Sequence, residues 1–360
     1  MTTPILKTAQ PASHRNPTAK ATSMAYLLFD RPDHDEAERF LNDFGLLTVQ
    51  KKDETLYLRS MDSAPWCYRI GKADKARFVG MGFTVATREE LVALSCIPGA
   101  SSIEILDAPG GGEMVRLTDP NGFRIEMVFG RTSVDPMPHR APLSANHDIT
   151  LPRVNSTQRP PAVPPELLKL GHVALEVAEY QKVCAWYTEH LGMIPSDVQM
   201  FPDGSPGVTF MRLDLGNTPA DHHTLALAQS FHAAYSHSAF EVIDVDAIGM
   251  GQRVLRERGW HHAWGIGRHI LGSQIFDYWS DPWGAHHEHY CDGDVFTADA
   301  PTGFHPFSAE SMAQWGQAMP ASFVKPKLTF GAIKALVHNL RTVPDVTLTK
   351  LKILARSFSK

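Results

Sequence analysis

The sequence has few cysteines, no long apolar run and no strong charge of either sign. Its four cysteines, which are Cys67, Cys96, Cys184 and Cys291, include no CxxC pair. This spacing is typical of neither a disulfide framework nor a zinc knuckle, and it favours a reducing, intracellular compartment. No stretch of about 18 apolar residues, the length that spans a bilayer, is present. The start of the chain also lacks the apolar core of a secretory signal, so we expect a cytoplasmic protein.

The balance of charge excludes further classes of partner. The chain carries 34 basic and 39 acidic residues, which gives a formal net charge of -5. Nucleic acids and acidic membranes attract proteins with basic surfaces, and this balance indicates neither partner. With 43% hydrophobic residues over 360 positions, the chain can bury a substantial core and is long enough for two domains. A small molecule is therefore the expected partner of a globular protein.

Two segments are predicted to lie outside the folded units. Residues 1–22 are expected to form a disordered tail, with an organellar transit peptide as the alternative. Pro4, Pro11 and Pro17 argue against that alternative, because they interrupt the amphipathic helix that such a peptide needs. Residues 131–168 hold eight prolines and are predicted to be a linker, since neither a helix nor a central strand accepts this density.

Residues 297–360 are predicted to form a C-terminal extension. From residue 325 onwards the chain has eight Lys or Arg and a single acid, Asp345. We expect a helix that packs on a neighbouring subunit or on the second half rather than on a membrane surface. We also expect a homo-oligomer. The apolar side of this amphipathic helix comprises Phe330, Ile333, Leu336, Val337 and Leu340.

Two parts of the chain, residues 23–130 and 169–296, repeat each other weakly. In each part an Asp-Pro-x-Gly turn leads into a strand with a glutamate seven positions after the aspartate. Three matches in the same order predict one fold for both halves. The matched pairs are DPNGFRIEMV at 119–128 with DPWGAHHEHY at 281–290, GMGFTV at 80–85 with HSAFEV at 237–242, and FGL at 44–46 with LGM at 191–193.

Each half is predicted to begin with a strand and a helix and to continue with short strands. A second helix, at 87–95 or 246–258, precedes the last hairpin of each half, so each half holds two βαβββ-like units. The four units together predict an α+β fold of small curved sheets rather than a Rossmann or barrel enzyme. The triple glycine at 110–112 lacks the Lys-Ser/Thr of a phosphate loop and is predicted to be a hairpin turn. The predicted segments are strands at 24–29 and 170–177 and helices at 33–44, 87–95, 179–191 and 246–258.

Three residues of the second half are the candidate metal ligands. His172 lies on the apolar segment GHVALEV, His237 begins the matching segment HSAFEV, and Glu288 follows the Asp-Pro-Trp-Gly turn. Equivalent strands that line one curved sheet can bring these side chains to its concave face. Two neutral imidazoles and a carboxylate on one face form the triad that binds Fe(II), with Mn(II) as the alternative ion, and leaves adjacent positions open.

The first half lacks this ligand set. At the positions that match the three ligands it has Tyr26, Gly80 and Glu126. Because only the glutamate is a ligand of the same type, we expect no metal of this kind in the first half.

The segment GRHILGSQIFDYWSDPWGAHHEHYCDGD at 267–294 resembles the two-domain type I extradiol catechol dioxygenases of the vicinal oxygen chelate superfamily. In that family a histidine precedes a tyrosine by nine positions, and the tyrosine precedes the glutamate ligand by ten, as His269, Tyr278 and Glu288 do here. The resemblance extends over roughly residues 24–296. It implies a catechol and O₂ as substrates, Fe(II) as cofactor, and ring cleavage beside the diol in the catabolism of aromatic compounds.

The resemblance also implies the remaining catalytic residues. His269 and Tyr278 match the groups that hydrogen-bond the catecholate and its oxygens. The acid-base histidine of the family lies fourteen positions before the second ligand, His237, and so corresponds to His223. The adjacent His222 is expected to face solvent, because alternation along a strand turns neighbouring side chains to opposite faces.

A second metal is not expected among the remaining histidines of this region. Adjacent residues of a strand point to opposite faces, and no acids are arranged around these histidines to complete a site. They are His261, His262, His286, His287 and His289.

The family resemblance also bears on the substrate. In its arylacetate-type enzymes an arginine for the substrate carboxylate shortly precedes the Gly-Arg-His segment, and Trp264 stands near that place here. The resemblance therefore implies an uncharged or bulky substituted catechol.

Three other functions remain open. A 4-hydroxyphenylpyruvate-type dioxygenase has the same ligand types but lacks the spacing described above. A glyoxalase-like lyase or isomerase needs no oxygen, and it leaves His223, His269 and Tyr278 without a joint purpose. A non-enzymatic binding protein would not need to keep all three ligands. An oxidoreductase that inserts both atoms of O₂ into a catechol is the function that uses all these residues.

Overall fold

The structure is a computed structural model, in which residues 16–308, 312–324 and 330–357 are described. The first fifteen residues of the predicted tail lie outside this part of the chain. Residues 18 and 19 of the predicted tail are hydrogen-bonded to the second half. The backbone N–H groups of Thr18 and Ala19 donate to the carbonyls of Glu189 and His190. The domain boundaries given above stay predictions.

The first half forms an eight-stranded sheet with the order β2-β3-β4-β1-β5-β8-β7-β6. Two helices pack with this sheet. The elements are β1 (Ala21–Arg31), α1 (His34–Phe44), β2 (Leu47–Lys52), β3 (Thr55–Arg59), β4 (Tyr68–Lys72), β5 (Arg77–Val85), α2 (Arg88–Ser95), β6 (Glu104–Ile105), β7 (Glu113–Thr118) and β8 (Arg124–Phe129).

The second half forms a ten-stranded sheet with the order β19-β10-β11-β13-β9-β14-β17-β16-β15-β20, and β12 pairs with β18 beside it. The elements are β9 (Leu167–Val177), α3 (Tyr180–Leu191), β10 (Ile194–Met200), β11 (Pro206–Arg212), β12 (Ala220–Asp221), β13 (Leu225–Gln229), β14 (Ala234–Val242), α4 (Val245–Glu257), β15 (His261–Arg268), β16 (Ile275–Ser280), β17 (His286–Cys291), β18 (Val295–Phe296), β19 (Gly303–Pro306), β20 (Trp315–Gly316), α5 (Ala321–Val324), α6 (Phe330–Thr342) and α7 (Leu348–Ser357).

The two sheets share one pattern of strand pairing. The first strand of each half, β1 or β9, is antiparallel to one neighbour, β5 or β14, and parallel to the other, β4 or β13. The strands β5 and β14 each pair in parallel with the strand after the Asp-Pro-x-Gly turn. The α+β fold of two tandem halves is thereby confirmed, and the four predicted helices agree with α1 to α4 within a residue or two.

The helix ends follow from local sequence. Asp33 accepts a hydrogen bond from the Glu36 backbone at the start of α1, and Gly45 ends that helix in the left-handed conformation. Thr87 and Glu90 form a reciprocal capping box at the start of α2. The triple glycine at 110–112 lies between β6 and β7, which pair antiparallel, and so the hairpin prediction is confirmed.

The proline-rich segment of residues 131–168 is irregular over most of its length and contacts both halves. Arg140 in this segment binds Asp244 at the N-terminus of α4, with a shortest distance of 2.5 Å. The same carboxylate caps α4 by accepting from the Ala247 backbone. The segment is therefore held in place rather than free of the folded halves.

The C-terminal extension contacts the second half of its own chain. The Asn339 side chain on α6 donates to the carbonyl of Phe231, and Gln181 binds the carboxylate of Asp345 through its backbone and side chain. The predicted apolar face is only partly buried, since Ile333 and Val337 are exposed. Among the described residues, no helix has both the length and the apolar character needed to cross a membrane.

Candidate active site

Four adjacent strands of the second sheet carry four of the candidate site residues, His172, His237, Glu288 and Tyr278. Ala239 on β14 is paired with His172 on β9 and with Glu288 on β17, and Glu288 is paired with Tyr278 on β16. Directly opposed residues point to the same face of a sheet, as do residues two apart on one strand. His237 therefore joins this face from β14, and the small side chain of Ala239 leaves room between the ligands.

The three predicted ligands lie close together. His172 Nε2 is 3.3 Å from His237 Nε2 and 3.3 Å from Glu288 Oε2, and His237 Nε2 is 3.4 Å from the same oxygen. The group is the one His/Cys/Asp/Glu cluster with metal-binding spacing found among the described residues. The side chain of Glu288 is fully buried, that of His172 is nearly so, and His237 keeps an exposed fraction of 14%.

The chemistry of these donor atoms fits a divalent transition metal. Within the part of the chain that is described, neither oxygen of the buried Glu288 carboxylate receives a well-formed hydrogen bond. Burial opposes ionisation of this carboxyl, but the neighbouring His172, His237 and His269 outweigh it and lower its pKa. Burial also lowers the pKa of His237 to about 3, which keeps the imidazole neutral. A neutral imidazole and an ionised carboxylate are the forms that bind such a metal.

The matching positions of the first half are occupied by a different set of interactions. Gly82 of the first half corresponds to Ala239 of the second half. It is paired with Tyr26 and Glu126, as Ala239 is paired with His172 and Glu288. The Tyr26 hydroxyl donates to Glu126 Oε2 at 2.7 Å, and Arg124 forms an ion pair with the same carboxylate. A Cβ atom on Gly80 would approach the Arg124 carbonyl oxygen to 1.9 Å, so a third ligand does not fit there.

His269 and Tyr278 lie beside the ligands, as the resemblance implied. His269 Nε2 is 2.9 Å from the Tyr278 hydroxyl and 3.8 Å from Glu288 Oε1. His269 Nδ1 donates to the Met312 carbonyl at 2.8 Å, which fixes the ring. Burial, followed by the nearby Glu288 charge, raises the pKa of Tyr278 well above its usual value, so its hydroxyl keeps its hydrogen. These two side chains form one pair next to the buried carboxylate.

His223 also lies at the site, with its ring centroid 4.0 Å from that of His172. Burial and then the adjacent His172 hold the pKa of His223 well below the usual range. The expectation that His222 faces solvent is wrong, because His222 is 1% exposed and hydrogen-bonded to Asp197 and His223. The reason is that residues 222–224 belong to no strand, so the alternation of side chains does not apply to them.

The other histidines of the region have separate partners. His287 and His289 point to the interface between the halves, where His287 pairs with the Tyr68 hydroxyl and His289 with the Phe44 carbonyl. His262 binds Asp277 at 2.7 Å, and His261 contacts Ser280. His286 stacks on the ring of Phe323.

A small cavity of about 60 Å³ lies above the ligands. His172, His223, His237, His269 and Tyr278 form part of its wall. Sequence reasoning missed the rest of the wall, because these residues belong to no recognisable motif and come from separate elements. They are Gln199, Phe210, Ala226, Leu271, Gln274 and Met312.

Trp264 lies behind this wall. Its ring stacks on that of Tyr278 with centroids 5.4 Å apart, and its indole N–H donates to the Gln317 carbonyl. Its side chain is buried and thus supports Tyr278 from behind.

The chain is similar to known proteins over the segment that holds the candidate ligands. Residues 169–288, which carry all three candidate ligands, match the Glyoxalase/Bleomycin resistance protein/Dioxygenase superfamily. The chain is 30% identical to Metapyrocatechase 2 of Cupriavidus necator over 316 residues, which cover 84% of this chain and 91% of that protein.

Several solved structures have the same fold. An extradiol ring-cleaving dioxygenase from B. fuscum superposes with a TM-score of 0.73 at 20% identity, covering 88% of this chain and 85% of that chain. A homoprotocatechuate 2,3-dioxygenase from Arthrobacter globiformis gives 0.71 at 20% identity, covering 88% and 94%. A Mn(II)-bound glyoxalase from Novosphingobium aromaticivorans gives 0.72 at 21% identity, covering 87% and 97%. With its similarity to the metapyrocatechase, the chain belongs to the type I extradiol dioxygenases of the glyoxalase and dioxygenase superfamily.

Proposed function

We propose that the protein cleaves the ring of a substituted catechol beside its two hydroxyls, with O₂ as the oxidant and a non-haem Fe(II) ion at His172, His237 and Glu288. The observation that carries this proposal is the grouping of three further side chains, His223, His269 and Tyr278, around one cavity with the candidate ligands His172 and His237. Metal binding alone needs only the triad, whereas chemistry on a substrate needs donors and a base beside it.

His172, His237 and Glu288 would supply three ligands and leave the remaining positions of the ion to small molecules. Fe(II) bound there would hold both oxygens of a catechol and O₂ together and let electrons pass between them. The protein would contribute the imidazoles of His172 and His237 and the ionised carboxylate of Glu288. The low pKa of His237 keeps protons from competing for its nitrogen.

His223 is proposed as the acid-base group. Its ring lies against His172 and faces the cavity, and burial keeps it neutral in the absence of substrate. A neutral imidazole can accept the proton of a substrate hydroxyl and return it at a later step. Tyr278 and His269 are proposed to hold a substrate oxygen, because the hydroxyl and Nε2 lie 2.9 Å apart at the cavity wall.

The lining of the cavity supports an uncharged aromatic substrate. Phe210, Ala226, Leu271 and Met312 provide apolar surface, and no Lys or Arg belongs to the wall formed by the described residues. We propose that Leu271 and Met312, which line the cavity, adjust when the substrate binds. Both are on irregular segments outside the central strands, where such movement costs least.

The proposal extends to the setting of the reaction. We infer that Fe(II) rather than Mn(II) is the working ion, that the protein acts in the cytoplasm on products of aromatic catabolism, and that it is a homo-oligomer. We also propose that residues 23–130 and 169–296 are two domains joined by the segment 131–168, with catalysis in the second.

The test is oxygen consumption with a panel of catechols. The protein is loaded with Fe(II) without air, mixed with each catechol, and then given O₂ in an oxygen electrode cell. The proposal predicts uptake of one O₂ per catechol and a coloured ring-opened product. A metal-dependent reaction that runs equally well without O₂ would instead support a lyase or isomerase. Absence of any turnover across catechols of different size and charge would contradict the proposal.

A further inference from the structure

A chain of hydrogen-bonded side chains connects the surface of the second half to the cavity. His305 Nε2 is 2.8 Å from Asp197 Oδ1, and Asp197 Oδ2 is 2.7 Å from His222 Nε2. His222 Nδ1 is in turn 2.9 Å from Nδ1 of His223, which lines the cavity. The His305 side chain is 40% exposed, whereas that of His222 is fully enclosed. This row of hydrogen bonds therefore begins at the solvent-exposed His305 and ends at His223, the proposed acid-base group.

The packing around these side chains leaves them little freedom. A Cβ atom on Gly303 would approach Asp197 Oδ1 to 2.0 Å, and one on Gly272 would lie 2.9 Å from His222 Nδ1. At these two positions the backbone lies so close to the side chains of Asp197 and His222 that only glycine fits. The rings of Phe210 and Phe296 lie about 5.5 Å from the ring of His222 and enclose it further.

The hydrogen bonds assign a direction to this chain. Burial raises the pKa of Asp197, but the hydrogen bonds from His222 and His305 outweigh it and lower the pKa overall, so this group is a carboxylate that only accepts. In the neutral form of His222, Nε2 then carries the hydrogen and Nδ1 is the acceptor. His223 has to donate to that acceptor through its own Nδ1. Its Nε2 is left without a hydrogen and is the nitrogen available to the cavity.

We propose that Asp197 and His222 are positioning residues, which fix the tautomer and ring orientation of His223 so that a bare Nε2 meets the substrate hydroxyl. This inference rests on the proposed function of His223. With His222 and Asp197 in place, the base is ready before the substrate arrives. Without them, the His223 ring can rotate or carry its hydrogen on Nε2, where it cannot accept a proton from the substrate.

The first experiment measures the tautomer without turnover. Protein labelled with ¹⁵N at histidine is loaded with Zn(II), a diamagnetic substitute, and the long-range couplings of the ring nitrogens are recorded by NMR. The His223 signals are identified by their absence from a His223→Phe variant. In the unmodified protein, the expected result is a hydrogen on Nδ1 of His223. In Asp197→Asn the hydrogen is expected on Nε2 of His223, because the Asn amide can donate to His222 and so reverse the direction of each hydrogen bond.

The second experiment measures turnover with a matched pair of variants. His222→Leu removes the acceptor, whereas His222→Asn places an amide oxygen near the position of Nδ1. We expect kcat to fall about ten- to hundred-fold in His222→Leu, with KM changed less than about two-fold, and to recover largely in His222→Asn. In a His223→Phe background the His222→Leu change should have no further effect, because His222 acts only through His223. Metal content and unfolding midpoint are compared in each variant.

The outcomes separate this inference from the proposed function. A hydrogen on Nε2 of His223 in the unmodified protein overturns the inference even if catechol cleavage is confirmed. So does an equal loss of kcat in the two His222 variants, or a further loss in the His223→Phe background. If no catechol is cleaved but the NMR result is as expected, the proposed function is wrong and the assignment of the tautomer stands.

Discussion

The carboxylate of Asp281 accepts two hydrogen bonds from the guanidinium of Arg31, which reaches it from the other half of the chain. The matching Asp119 accepts a hydrogen bond from the Tyr187 hydroxyl on α3. In each Asp-Pro-x-Gly turn, one carboxylate oxygen binds the backbone of its own turn and the other binds the opposite half. The turn before Glu288 is thus tied to the half that has no metal ligand set.

Loss of Arg31 should destabilise the protein strongly. The side chains of Arg31 and Asp281 are 3% and 4% exposed, so Arg31→Leu leaves a buried carboxylate without its cation. We expect the free energy of unfolding to fall by about 3–5 kcal/mol, measured by urea denaturation. The control is Arg77→Leu, because the Arg77 side chain is 68% exposed in its pair with Asp30 and should contribute about 1 kcal/mol or less. Equal losses in both variants would contradict this account.

The stability of the protein should fall between about pH 4 and pH 6 through Asp119. Burial raises the pKa of Asp119 from 3.8 to about 6, so the folded protein holds this proton more tightly than the unfolded chain. The contribution of Asp119 to the free energy of unfolding is fully present below pH 4. It is lost as the pH rises through 6, and the loss is about 3 kcal/mol in all. Denaturant unfolding at several pH values checks this, with Asp119→Asn as the comparison. Parallel pH profiles for the two proteins would refute it.

Metal binding should depend on Glu288 and not on its counterpart Glu126. Glu288→Gln removes the negative ligand, so we expect loss of the bound ion and of turnover. Glu126→Gln changes a carboxylate that is already bound by Tyr26 and Arg124, so the metal content should stay the same. Elemental analysis of both proteins after loading and desalting gives the answer. Loss of the metal in Glu126→Gln but not in Glu288→Gln would show that the metal binds in the first half and would contradict this account.

Tyr278 should matter for turnover more than for metal binding. Tyr278→Phe removes the hydroxyl beside His269 and keeps the ring that stacks on Trp264. We expect kcat to fall about ten- to hundred-fold while the metal content is unchanged. Tyr57→Phe in the first half serves as the control, because its hydroxyl donates a long hydrogen bond of 3.5 Å to the Asp107 carbonyl. The role given to Tyr278 is wrong if steady-state kinetics show the same kcat for both variants.

The sequence predicted the elements and the grouping of the ligands because these depend on local patterns and on a repeat. His172, His237 and Glu288 start from strands whose apolar character and order are visible in the chain, and strand pairing then fixes their relation. His222 was predicted wrongly because alternation was applied to a segment that forms no strand.

The walls of the cavity could not be predicted for a different reason. Gln199, Leu271 and Met312 come from separate elements, and only the long-range packing brings them together. The same holds for Asp197 and His305, which meet because β10 and β19 pair in parallel across more than a hundred residues.

The central claim is that both atoms of O₂ enter a catechol at a bond beside the diol. The most direct test is a single turnover of the Fe(II)-loaded protein with a catechol under ¹⁸O₂, followed by mass spectrometry of the product. The account predicts one labelled atom at each end of a ring opened next to the two hydroxyls, with no product when O₂ is withheld. A product opened between the hydroxyls, or one that carries no label, would contradict it.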